Sequence, residues 1–139
     1  MLIRTTGQGD LESVRQHKQI TDLGGREVLV GHNAARFGHT ESDDGAVFLF
    51  NHFTVTGDAD PVQAWLSLTR WYVSKIGVDN STALRTVGPG FPLVNYARLP
   101  SNPPKFLLNQ LLRPSFHRVV RGTLKRHEMQ AFPGFYRML

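Results

Sequence analysis

The chain has 139 residues, 40% of them hydrophobic, which suits one packed domain and excludes a disordered chain. It has no cysteine, so disulfides, thiolate metal sites and cysteine nucleophiles are all excluded. Its formal charge of +5 is concentrated at Arg113, Arg118, Arg121, Lys125 and Arg126, with no acid between them. That run reads either as a phosphate-contacting patch or, the preferred reading, as the solvated face and basic end of an amphipathic helix. Its one aromatic, Phe116, falls short of the interleaved series that a nucleic-acid stacking platform requires, and no nucleic-acid partner is expected.

The N-terminus carries no apolar leader and the chain no membrane-length apolar run, so a cytoplasmic protein without membrane contact is expected. Residues 1–45 are taken as an N-terminal extension, partly strand or loop. Residues 26–31 alternate weakly as a strand, after a turn at Gly24-Gly25, and residues 39–45 are a polar loop.

The main domain is placed at residues 46–139. Residues 46–56, AVFLFNHFTVT, are rich in β-branched and aromatic side chains and predict a strand. Asp60 is a helix N-cap with Pro61 at the first helical position. The spacing of Val62, Trp65, Leu66, Thr69, Tyr72, Val73 and Ile76 predicts a helix over 61–76, closed by Gly77. Strands follow at 80–87 and 91–98 around the turn Gly88-Pro89-Gly90. A proline-rich loop leads into a second helical region that breaks at Arg113-Pro114, because proline disfavours helix in the residue before it. Beyond the break Phe116, Val119, Val120, Thr123 and His127 share one face, and a last strand covers 132–139. The order is β-α-β-β-α-β, an α+β, ferredoxin-like pattern with one antiparallel sheet and both helices on one side. The other side of the sheet is apolar too. A second copy of the chain or the N-terminal extension must cover it, and two-fold pairing is the expected solution.

Within the strands, Asn51 shares a face with Leu49 and Phe53, and Asn95 with Leu93 and Ala97. An amide in the middle of an apolar strand needs a hydrogen-bond partner. That partner is either another protein group or a ligand's carbonyl or phenolate. Trp65 and Tyr72, seven residues apart on the helix, offer an aromatic wall for a flat ligand, with Trp71 nearer the edge of that face; the alternative is that they are core. His117, beside Phe116, is either a general base or a locally paired surface residue. The six histidines show no metal-ligand spacing, and no phosphate loop, nucleophile elbow or dinucleotide fingerprint is present.

Two segments resemble the antibiotic biosynthesis monooxygenase family: Phe50-Asn51-His52-Phe53-Thr54-Val55, similar to its first strand, and Leu93-Val94-Asn95-Tyr96-Ala97-Arg98-Leu99, similar to its third. Arg113-Pro114-Ser115-Phe116 looks like the turn before the family's last helix, and Pro133-Gly134-Phe135-Tyr136 like its final strand. The resemblance spans roughly residues 46–139. It implies a homodimer forming a dimeric α/β barrel, with a pocket between sheet and helices in each protomer. It further implies a cofactor-free, metal-free monooxygenase in antibiotic or secondary-metabolite biosynthesis, oxidising anthrone-like phenols of aromatic polyketide type with dioxygen. By motif position Asn51 and Asn95 match the family's two pocket amides, and Leu99 stands where a Trp is expected. Asn51, Asn95 and His117 are therefore the candidate catalytic residues. Phe53, Trp65, Tyr72, Leu99 and Phe116 are the candidate substrate contacts. In haem-degrading relatives an iron-ligating His lies on the last helix; its position here is Val120, which argues against haem. A polyketide cyclase, another non-oxidative ring-forming enzyme or a non-catalytic ligand-binding protein of the same fold is the alternative.

Overall fold

The computed structural model describes residues 12–13, 30–39 and 46–137. The chain clusters into two units, Met1–Val30 and Gly31–Leu139. In the first, Glu12 and Ser13 are helical and exposed.

Five strands form one sheet: β1 (Val30–Phe37), β2 (Val47–Val55), β3 (Ser81–Val87), β4 (Leu93–Arg98) and β5 (Met129–Arg137), in the order β1-β3-β4-β2-β5. Pairings β2·β4, β2·β5 and β3·β4 are antiparallel. Gly31 lies close to Arg85, and Gly38 to Asp79, so β1 runs antiparallel to β3 as well. Four of the strands, with helix α1 (Pro61–Ile76) between β2 and β3, reproduce the expected βαββαβ order and are compatible with a ferredoxin-like arrangement.

Helix α1 begins and ends where its sequence predicts. The Asp60 carboxylate accepts from the Val62 N–H at 3.0 Å, and Gly77 takes the left-handed conformation (φ 81°) while its N–H donates to the Tyr72 carbonyl. Its buried stripe differs from the expected one. Ala64, Leu68 and Trp71 are buried, whereas Leu66, Tyr72 and Val73 are half-buried. The stripe turns because α1 packs on two partners, the sheet below and the last helical region beside it. Trp71, expected nearer the edge, reaches Phe116 at 5.8 Å between ring centroids and donates from Nε1 to the Ser115 hydroxyl at 3.2 Å.

Other boundaries move. Residues 26–29 of the first expected strand lie outside the described residues, and the strand observed there, β1, runs on to Phe37 as an edge strand of the same sheet. Of the expected loop 39–45 only residue 39 is described. Strand β4 begins at Leu93, not 91, and β5 at Met129, not 132; residues 138–139 lie outside the described residues. The earlier start of β5 follows from its pairing with the full length of β2, from Val47↔Arg137 to Val55↔Met129. Pro133 is tolerated inside β5 because this is an edge strand with one side free of ladder bonds.

The second helical region comprises three pieces. Helix α2 (Pro103–Leu111) is capped by Asn102, whose side-chain oxygen Oδ1 accepts from the Lys105 N–H at 3.0 Å. After Pro114 the chain winds as a π-helix over Phe116–Arg121, then as the short helix α3 (Gly122–Arg126). Val120 and Thr123 point inward as expected, and Phe116 packs half-buried against the core.

The core lies between α1, the π-helix and one sheet face, built on Phe53, Trp65, Leu93, Ala83, Ala97 and Val120. The opposite sheet face carries Phe48, Thr82, Val94 and Tyr96, all buried, and an aromatic ladder. Phe50 stacks on Tyr96 (5.6 Å) and meets the edge of Tyr136 (5.1 Å); His52, Phe91 and Phe132 continue the row. A side chain at Gly134 would run into the Tyr136 ring, so glycine is what lets that ring lie over the strand. Phe132 and Tyr136 remain 46% and 52% exposed. Among the described residues, no helix is long and apolar enough to cross a membrane.

Candidate functional site

The register brings the two predicted amides together. Asn51 on β2 is directly opposite Asn95 on β4, and the row continues to Pro133 on one side and Ala83 on the other. Alternation puts this row on the helix-facing side, with Leu49, Phe53, Leu93 and Ala97 above and below.

The two amides differ in state. Asn95 is 7% exposed and donates from Nδ2 to the Ser81 hydroxyl at 3.1 Å. The Asn51 side-chain oxygen is buried and has no hydrogen-bond partner among the described residues. A carboxamide can be turned over about its last torsion, so that position can present either a carbonyl or an NH₂. A ligand hydroxyl or an oxyanion would each find a match there.

A third buried amide shows what a structural role looks like. Asn80, 1% exposed, donates to the Arg98 carbonyl at 3.1 Å and accepts the Arg98 N–H at 2.7 Å, extending the β3·β4 ladder by side chain. It escaped the sequence reading, because nothing in Val-Asp-Asn-Ser distinguishes a ladder-extending amide from a turn residue.

The aromatic candidates divide. Phe53 and Trp65, 1% and 2% exposed, are enclosed in the core cluster. Tyr72 stacks on Phe106 and donates its hydroxyl to the side-chain oxygen of Gln110 at 2.9 Å. Burial pushes that phenol well above its ordinary range, so it stays protonated. Trp71, Tyr72, Phe106 and Phe116 thus form one aromatic cluster between α1 and the following helices. Leu99 is half-buried just past β4, held by its N–H to the Val47 carbonyl at 2.9 Å, and packs against the core.

His117 is exposed and touches the Phe116 ring edge-on. It lines an open groove of about 510 Å³ with Arg121, Gly122, Leu124, Lys125 and Met129; neither Asn51 nor Asn95 lines this groove. Compared with models of known protein families, with curated proteins and with solved structures, the chain has no match.

Proposed function

We propose that the chain is a cofactor-independent, monooxygenase-like enzyme acting on a phenolic aromatic of polyketide type, with the Asn51 amide as its contact to the substrate oxygen. The observation that carries this reading is the buried, unpartnered Asn51 oxygen facing Asn95 across β2 and β4. A native fold keeps a buried polar atom unpaired at a cost of about 1–3 kcal/mol, and a binding or catalytic role is one of the reasons for which such an atom is kept.

In the proposed reaction an anthrone loses a proton from its methylene carbon to water, and the charge moves to the ring-carbonyl oxygen. A neutral amide N–H donates to that oxygen without adding charge of its own. The carbanion passes an electron to dioxygen and the new carbon–oxygen bond forms. Loss of water from the hydroperoxide leaves the quinone, so CH₂ and O₂ become C=O and H₂O. The test is dioxygen uptake with an anthrone in air, one O₂ per quinone. Asn51→Ala should lower the rate by about 10²–10³ while the protein stays folded. No uptake by the wild-type chain would overturn the oxidation.

A second reading keeps the site without the oxidation, as a cyclase or a ligand-binding protein. It is favoured by Leu99 in place of the family's Trp, and by the engagement of Asn95 with Ser81, which leaves one free amide instead of two. Binding of a hydroxyanthraquinone without oxygen uptake is its signature. In either reading two copies pair through the exposed part of the sheet face opposite the helices, at Phe132 and Tyr136; Phe48, Thr82, Val94 and Tyr96 on the same face are already buried within the single chain.

A further inference from the structure

The last helical region holds a feature that the amide site does not use. Residues 80–127 contain no Asp or Glu but eight Lys and Arg. Three basic side chains of this stretch, His117, Arg121 and Lys125, line one groove, with Leu124 and Met129 as its apolar wall. Among the described residues, neither Arg121 nor Lys125 is in an ion pair. The next acid in sequence, Glu128, turns its carboxylate against Gly57, which is not part of the groove wall.

The groove coincides with the backbone irregularity. The π-helix ends at Arg121, and Gly122 follows in ordinary helical geometry (φ −64°, ψ −39°). A Cβ at Gly122 would meet nothing within 4 Å, so the space beside Arg121 and Lys125 is open because no side chain fills it. π turns are rare and concentrate at functional positions. The groove, about 510 Å³ and open to solvent, has room for a small molecule.

We propose that this groove binds a small amphipathic anion. Arg121 and Lys125 hold a carboxylate or phosphate head, His117 adds a ring N–H donor, and the apolar body lies over Gly122 against Leu124 and Met129. The site is independent of the amide pair, since neither Asn51 nor Asn95 takes part. Arg contributes a planar two-pronged donor and Lys a mobile point charge, a combination that fits either head group.

The test is calorimetric titration of the full-length chain with four probes: 1-naphthyl phosphate, 1-naphthoate, neutral 1-naphthol and inorganic phosphate. Both naphthyl anions should bind, and 1-naphthol and phosphate should each bind at least about tenfold more weakly, because each lacks one half of the recognition. The ratio between the two anions identifies the preferred head. Arg121→Ala/Lys125→Ala should weaken both anions about tenfold or more. Gly122→Leu keeps every charge and fills the groove, and should have the same effect. Thermal melts establish that each variant is folded. Equal binding of 1-naphthol and 1-naphthyl phosphate, or anion binding unchanged in either variant, overturns the proposal. So does tight, salt-sensitive binding of a 15-nucleotide single strand that survives in Gly122→Leu while the naphthyl anions do not bind, since that assigns the basic stripe to nucleic acid.

Discussion

Asn51 and Asn95 face each other across two strands, yet replacing each by the isosteric apolar residue should have opposite effects on stability. In Asn51→Leu the change removes a buried oxygen that has no partner. Leaving such an atom unpaired costs about 1–3 kcal/mol, so leucine, of similar volume and flanked on its face by Leu49 and Phe53, should raise stability by about 1–2 kcal/mol. For a chain of this size that is a rise in Tm of roughly 3–8 °C. In Asn95→Leu the change breaks the 3.1 Å bond to Ser81 and leaves that hydroxyl buried without its donor, so stability should fall by about 1–2 kcal/mol. Urea unfolding at equilibrium measures both, with unchanged slopes indicating an unchanged denatured state. Ligand completes the case. A hydroxyanthraquinone at ten times its Kd should stabilise the wild-type chain by about 1.4 kcal/mol and leave Asn51→Leu unmoved. A lowered urea midpoint for Asn51→Leu would refute the reasoning, because it would mean that the oxygen is satisfied in solution and is not waiting for a ligand.

Further expectations are checked by simpler measurements. Gly122→Ala, in helical geometry with open space around it, should gain about 0.5–1 kcal/mol in urea unfolding, whereas Gly38→Ala should lose more than about 1 kcal/mol, since Gly38 has φ +61° and an added Cβ would strike the Asp79 carbonyl. Asp60→Ala removes the α1 cap and should cost about 0.5–2 kcal/mol at neutral pH. The Val62 N–H and the Arg85 guanidinium hold the Asp60 carboxyl below its usual value, so its contribution is fully present above the ordinary carboxylate range. The gap between wild type and Asp60→Ala should therefore narrow as pH falls through that range and through the depressed value below it; a gap constant from neutrality to acid would contradict this. Light scattering should give a dimer mass for the wild-type chain and a monomer mass for Phe132→Glu/Tyr136→Glu; a wild-type monomer at all concentrations would end the pairing idea.

Much of this architecture was legible where local chemistry is strong. Asp60-Pro61 and Gly77 bound α1 to the residue because a cap side chain, a fixed proline φ and a left-handed glycine each act within one turn of chain. That Asn51 and Asn95 lie on the apolar faces of neighbouring strands also followed from alternation and strand order, whereas their standing directly opposite each other is set by the register of β2 on β4. What could not be read depends on distant partners. That Asn95 is tied to Ser81 while Asn51 is not depends on β3 lying beside β4 and the proline-bearing β5 beside β2. The rotation of the α1 stripe toward Trp71 depends on Ser115 and Phe116, more than forty residues on. The π-helix leaves no mark in Phe116–Arg121, whose composition is that of an ordinary helix, and β1 extends the sheet from a stretch with little hydrophobic alternation.

The place of β2 in the sheet also bears on how the chain is made. Its partners on the β5 side lie between 74 and 90 residues further along the chain. A ribosome that has finished β2, α1, β3 and β4 has therefore produced a strand paired along one edge and bare along the other, and that edge includes Phe48, Phe50 and Phe53. It stays bare until residues 129–137 have been made and have cleared the exit tunnel. Unpaired apolar edges recruit neighbouring chains. Nascent copies on one messenger are thus most prone to cross-pair between the emergence of β2 and that of β5, and a chain stalled or cut before residue 129 should surface as aggregation before it surfaces as lost activity.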